Sequence, residues 1–210
     1  MRKSGFSLVE LSVVLVIIGI LIGGIVAAKT MIASTRRTAL ISDWQKYSTS
    51  ANSYFSKYNY WPGDDAEATN KWAGATVGSG DGALGIQTSQ EYMYFWQDLA
   101  LAGFITGSYT GAWGSVPTAP IPDSYMTHYY DSTGSNATNQ ALYVTGTRPA
   151  TFVGYSSSTG TAILTARGAA GIDVKIDDGI YNTGNVIAPA GCTYTNASTS
   201  NSTALACNLY

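Results

Sequence analysis

Hydrophobic and polar positions are distributed very unevenly along this chain. From Phe6 to Ala28 (FSLVELSVVLVIIGILIGGIVAA) Glu10 is the only charge, and the 18 residues from Leu11 onward carry none. A run of that length suits a membrane span or the core of a bundle of similar helices. Beyond Lys29 the pattern turns amphipathic. Leu40, Trp44, Tyr47, Ala51, Tyr54 and Tyr58 recur at spacings of three and four, one stripe of a helix. The two patterns join into one predicted helix over residues 6–58, about 80 Å long at 1.5 Å per residue. Asn59-Tyr60-Trp61-Pro62-Gly63 ends it, because the residue before a proline disfavours the helical region and Pro-Gly marks a turn.

Further along, the signals are shorter. Glu91 to Ile105 (EYMYFWQDLALAGFI) predicts a second helix, with Gly103 as its stop. Residues 106–140 are rich in Gly, Pro, Ser, Thr and Asn and predict long surface connections. Residues 141–145, 151–155 and 161–165 are β-prone runs separated by turn residues. Ile172, Val174 and Ile176 alternate with polar neighbours and predict another strand, followed by a tight turn at Asp178-Gly179. The expected architecture is therefore α+β: a long helix laying its aromatic stripe on an antiparallel sheet.

The start of the chain carries the most specific motif. A short basic leader, Met1-Arg2-Lys3-Ser4-Gly5, precedes Phe6-Ser7-Leu8-Val9-Glu10 and the aliphatic run. An ordinary secretory signal would share the basic and apolar regions, with Ala27-Ala28 as a small-residue cleavage site. The apolar run is longer than usual for such a signal, and it passes unbroken into an amphipathic helix. The combination of Gly5, Phe6, the acid at Glu10 and the apolar helix closely resembles the processing site of type IV pilins and pseudopilins.

That resemblance covers about the first 30 residues and has concrete implications. A prepilin peptidase would cut after Gly5, removing residues 1–5 as a leader. Phe6 would become the new N-terminus and be N-methylated. Glu10 would pair with the N-terminal amine of a neighbouring subunit. Identical or related pilin subunits, an inner-membrane platform protein and a cytoplasmic assembly ATPase are the implied partners. The implied location is the inner membrane before assembly, and an external pilus or periplasmic pseudopilus afterwards. The implied domains are an anchoring helix at 6–28, its amphipathic continuation at 29–58, and a globular domain at 59–210.

Elementary physics is consistent with those implications. Cleavage would leave one ammonium at the end of an apolar helix, and a carboxylate four residues on lies one turn along the same face. An unpaired charge inside a helix bundle is costly, and a pair between subunits offsets much of that cost while fixing their axial register. The alternative role for Glu10 is an interfacial carboxylate reaching headgroups. Many pilins have a proline near the end of the apolar half, whereas the first proline here is Pro62. Gly19, Gly23 and Gly24 supply either points of bending or sites of close helix approach. Trp61 to Trp72 resembles, more loosely, the loop after the long helix of pilin-like proteins.

Composition narrows the function classes. The chain has 210 residues and a net charge of −2, with only Arg148, Arg167 and Lys175 as cations after residue 72 against eight acids. An acidic back half argues against nucleic-acid binding. The two cysteines, Cys192 and Cys207, allow one pairing, which would close a loop of about 15 residues and add on the order of 3 kcal/mol. Pilins often carry such a C-terminal loop; two unpaired thiols are the alternative. Gly80, Gly82 and Gly85 form a GxGxxG without the strand and ribose-binding acid that dinucleotide sites need, so a flexible turn is expected. Asp173, Asp177 and Asp178 lack EF-hand spacing, and turn chemistry is preferred over calcium. Asn136, Asn196 and Asn201 satisfy N-x-[ST]. The single histidine, His128, has no catalytic neighbours in sequence, and no nucleophile elbow, HExxH, P-loop or CxxC occurs.

The sequence thus predicts a non-enzymatic structural subunit of a type IV pilus-like filament, without cofactor or metal, serving adhesion, motility, DNA uptake or conjugation. The alternatives are a pseudopilin of a type II secretion system and a membrane-anchored binding or enzymatic domain that never polymerises.

Overall fold

The computed structural model describes residues 7–82, 84, 91–112, 114–130, 140–145, 163–181, 183–184, 186 and 205–207. One continuous helix, α1 (Leu8–Tyr58, 51 residues), spans the apolar and amphipathic patterns without a break. At 1.5 Å per residue it is about 77 Å long. Asn59 closes it in the left-handed conformation (φ 60°), donating its N–H to the Phe55 carbonyl at 2.8 Å. The expected helix end is therefore where Asn59-Tyr60-Trp61-Pro62 placed it.

A single turn, α2 (Ala68–Lys71), and an 11-residue helix, α3 (Glu91–Leu101), follow. The second helix ends at the expected stop, Gly103, with Leu101 as its last helical residue. Gly103 takes φ 76° and donates to the Ala100 carbonyl while Phe104 donates to Leu99. This is a Schellman closure, which glycine makes without Cβ strain. Next come β1 (Tyr125–Tyr130) and β2 (Gln140–Thr145), antiparallel with Tyr125 opposite Thr145 and His128 opposite Leu142. The expectation of surface connections throughout 106–140 is thus corrected. Met126, inside β1, is fully buried.

The largest correction concerns residues 166–176. The alternation of Ile172, Val174 and Ile176 predicted a strand, but the segment is α4 (Ala166–Ile176), entered through the two-residue β3 (Leu164–Thr165). Thr165 caps it, accepting the Gly168 N–H on its hydroxyl at 3.0 Å. Ala166, Ala169, Ala170 and Asp173 are buried at helical spacing, and Ile172 is buried while Val174 is 48% exposed. Period two held over only three apolar residues. The small-residue face before them follows the helical period and lets α4 lie close against α1. β3 pairs antiparallel with β4 (Leu205–Cys207).

The core forms where these elements meet the second half of α1. Leu40, Tyr47, Ala51 and Tyr54 of the predicted stripe are buried, with Trp44 and Tyr58 packed at its edge. Among the described residues the stripe packs on helices. Tyr47 stands edge-on to Trp96 of α3 at 4.9 Å between ring centroids, and α4 lies on the same helix further toward its N-terminus. Among the described residues the strands form two separate two-stranded antiparallel ribbons, and the β-prone run at 151–155 lies outside those residues.

Candidate functional site

The first turn of α1 presents Glu10. Ser7 caps the helix from an extended conformation, its hydroxyl accepting the Val9 N–H at 3.3 Å. The Glu10 carboxylate reaches back and accepts the Ser7 N–H at 2.9 Å. This is a capping box, and a carboxylate here also complements the positive end of the helix dipole. The Glu10 carboxylate therefore lies over the start of the helix, at Ser7, the residue that follows Phe6 in the sequence. Gly5 and Phe6 themselves lie outside the described residues.

From this turn as far as Arg36, α1 has no cover among the described residues. Every described residue from Ser7 to Arg36 is exposed, including the aliphatic run Leu11–Ile18. Its most apolar 18-residue window has a mean hydropathy of 2.9 and no buried residue. An exposed apolar surface of this size marks an interaction with a membrane or with other protein. Gly19, Gly23 and Gly24 have open space where a Cβ would stand, so nothing inside this molecule requires them to be glycine.

Residues 1–26 match the family model of the prokaryotic N-terminal methylation motif. This is the prepilin leader of type IV pilins and pseudopilins. The match ends within the apolar half of α1, so the motif covers most of the apolar run and none of the described buried core. No curated protein and no solved structure matches the chain.

A second concentration of chemistry stands just past the C-terminal end of α1, and sequence patterns gave no sign of it. Asp64, Asp65 and Asp98 are essentially without solvent exposure, as is Glu91. The glycine-rich loop 78–82 wraps the Asp64 carboxylate. Gly80 and Asp81 donate backbone N–H groups to Oδ1 at 2.7 and 3.1 Å, and Gly82 donates to Oδ2 at 2.8 Å. The Ser79 hydroxyl adds a fourth donor at 3.2 Å. The GxGxxG pattern, of which Gly85 lies outside the described residues, thus forms an anion-binding nest filled by the protein's own aspartate. Burial raises the Asp64 carboxyl above its ordinary range, against the opposing pull of the Gly82 and Gly80 amides.

Asp65 is held differently. Lys71 approaches both of its oxygens at 2.7 Å, and Tyr54 of α1 donates its hydroxyl at 2.7 Å. Asp98, in the middle of α3, accepts the Gly63 N–H at 2.7 Å on Oδ2, while its Oδ1 has no hydrogen-bond partner. Burial pushes its carboxyl up to about 7, with Gly63 and Lys71 pulling the other way and Asp65 adding to the rise. Together the three aspartates tie the loop after α1 to both α1 and α3. Gly63, at φ 91°, fits only because it lacks a Cβ, which would run into the Glu91 carbonyl.

Two acidic groups bring ligand-type oxygens within 4.8 Å of one another: Asp64, Asp81 and Glu91, and Asp173, Asp177 and Asp178. In the first, hydrogen-bond donors already occupy both Asp64 oxygens, and a cation would have to displace them. In the second, Gly179 donates to Asp173, Ile180 and the Thr183 hydroxyl to Asp178, and Val186 to Asp177. That is the turn chemistry expected from the sequence. His128 stands in β1. The backbone of Cys207 is in β4, with Leu164 opposite, whereas Cys192, Asn136, Asn196 and Asn201 lie outside the described residues.

Proposed function

We propose that this chain is a structural subunit of a type IV pilus-like filament, processed after Gly5 and assembled through α1. The observation that carries this reading is the methylation motif over residues 1–26, joined to a helix whose apolar half no described residue covers. Before assembly the inner membrane would cover it. In a filament the corresponding helices of neighbouring subunits would.

Glu10 provides the register. Cleavage after Gly5 turns Phe6 into a free ammonium, which N-methylation leaves charged. In the unassembled chain the Glu10 carboxylate is engaged only at its own helix start, through the Ser7 N–H. Buried in a bundle, a carboxylate and an ammonium on adjoining helices each need the other, and only one axial stagger brings them together. The pairing therefore selects one arrangement of subunits out of many equally apolar ones. The acidic domain beyond residue 59 stays on the outside, and prepilin peptidase, a platform protein and an assembly ATPase complete the machinery. Pilus and type II pseudopilus subunits share this chemistry, and the neighbouring genes distinguish them.

Two variants test the proposal. Glu10→Val keeps the apolar helix and removes the charge, so the protein should stay in the membrane fraction and disappear from the sheared surface fraction. Filaments that persist in this variant refute the register. Gly5→Leu should leave an uncut precursor, heavier by the leader. A mature mass identical to that of the parent refutes cleavage after Gly5.

A further inference from the structure

Where α1 enters the folded domain, it forms one wall of a groove of about 280 Å3. Ala33, Arg36 and Arg37 line that wall, and Arg167 and the capped first turn of α4 line the opposite one. Three arginines thus line one groove together with the N-terminal turn of α4, and no carboxylate is among the lining residues. Neither Arg36 nor Arg167 makes a side-chain hydrogen bond or ion pair to any described residue. Arg37 reaches only the Ala33 carbonyl, through Nε at 3.3 Å. In a chain of net charge −2 this concentration of unneutralised cations stands out. It fits an anionic ligand that can accept several N–H donors at once, and guanidinium pairs with phosphate in that manner.

The position of the groove along α1 says where such a phosphate comes from. Arg36 and Arg37 lie eight and nine residues beyond Ala28, the last residue of the apolar run. At 1.5 Å per residue that is about 12 to 14 Å. Headgroup layers extend about 5 to 7 Å beyond the hydrocarbon, and helical side chains lean toward the helix N-terminus, here back toward the membrane. Long arginine side chains on α1 therefore point their charges into the headgroup zone. Ile121, Ile163 and Leu164 complete the lining, so the rim of the domain that faces the bilayer is apolar between its cations.

We infer that the Arg36–Arg37–Arg167 groove docks the phosphate of an anionic phospholipid in the leaflet next to the domain, seating the unassembled subunit on the membrane surface. The inference rests on reading α1 as a membrane anchor. Extraction into a filament would then have to break these contacts, so the same groove favours the membrane-resident state.

The test uses the full chain in nanodiscs of phosphatidylcholine alone or of an even mixture with phosphatidylglycerol, read by hydrogen–deuterium exchange. Amides of residues 163–170 should exchange about threefold or more slowly in the anionic discs. The triple variant R36Q/R37Q/R167Q should lose this difference, while Lys46→Gln, further along α1, should keep it. Equal exchange in both discs overturns the inference. So does equal protection by inorganic phosphate in neutral discs, which would identify a free-anion site, or protection that grows with the number of chains per neutral disc, which would identify a second copy as the occupant. A chain that associates with neither disc refutes the anchor itself, and is recognised separately by its failure to co-elute with the lipid.

Discussion

Asp98 shows how a single side chain can set the pH response of this fold. Its carboxyl is buried, accepts one N–H and is pushed up to about 7, whereas in an unfolded chain it would titrate near the ordinary aspartate value. Between those two values the folded form holds a proton that the unfolded form has released. Folding is therefore favoured as the pH falls through 7 toward 4, and Asp98 opposes folding above 7. Asp98→Asn keeps an acceptor for Gly63 and removes the charge. Its melting temperature should lie nearest the parent's at about pH 4, draw ahead as the pH rises, and exceed it by several degrees at pH 8, where the gain is on the order of a few kcal/mol. A gap that does not change with pH would mean that Asp98 stays ionised in the fold. The identity of this residue was plain in the sequence, but its burial was not. EYMYFWQDLALAGFI reads as an amphipathic helix with Asp98 on its polar side, and only the approach of the Gly63 loop encloses it.

At the level of elements, α1 and α4 contrast. The long helix could be read from periodicity because its stripe of six positions extends over five turns and Asn59-Tyr60-Trp61-Pro62 ends it. In α4 the periodicity misled: three alternating aliphatic residues look like a strand, and alanine and glycine carry little hydrophobic signal by themselves. The two readings predict different mutational patterns. In a strand Ile172 and Val174 would share one face and be equally sensitive. In α4 Ile172 has no exposure and Val174 is 48% exposed. Ile172→Asp should cost more than about 3 kcal/mol, and Val174→Asp less than about 0.5 kcal/mol, in urea unfolding of the folded domain. Equal losses would restore the strand. The glycine-rich loop gives the same lesson in another form. Its glycines predicted only a flexible turn, whereas in the fold their amides hold the carboxylate of Asp64, an internal group 14 residues before Gly78.

On the scale of the whole molecule, the chain divides into a part that needs company and a part that does not. Among the described residues, all the buried ones lie at Leu40 and beyond, and the helix before Arg37 contributes nothing to their core. A chain beginning at Lys29 should therefore fold and remain soluble without detergent, with a melting temperature within a few degrees of the full chain in micelles. The full chain should require detergent or lipid. Loss of folding on truncation would show that the apolar half supports the domain after all. The same division explains why residue-level chemistry at the two ends is so different. Glu10 is exposed and bonded only within its own capping box among the described residues, whereas Asp64 and Asp65 are buried and held by several donors each.

The sequence alone determined the anchor: its length, its lone acid, its leader and the point where it ends. These are properties of consecutive residues, and the hydrophobic effect and helix periodicity act on them locally. Only the tertiary structure decided what the aromatic stripe packs against, which carboxylates lose their water and which arginines share a groove. Arg36 and Arg167 are 131 positions apart in sequence, and Asp64 and Glu91 are 27 apart. Electrostatic environment depends on distance through space, and no local pattern records the folding that brings such residues together.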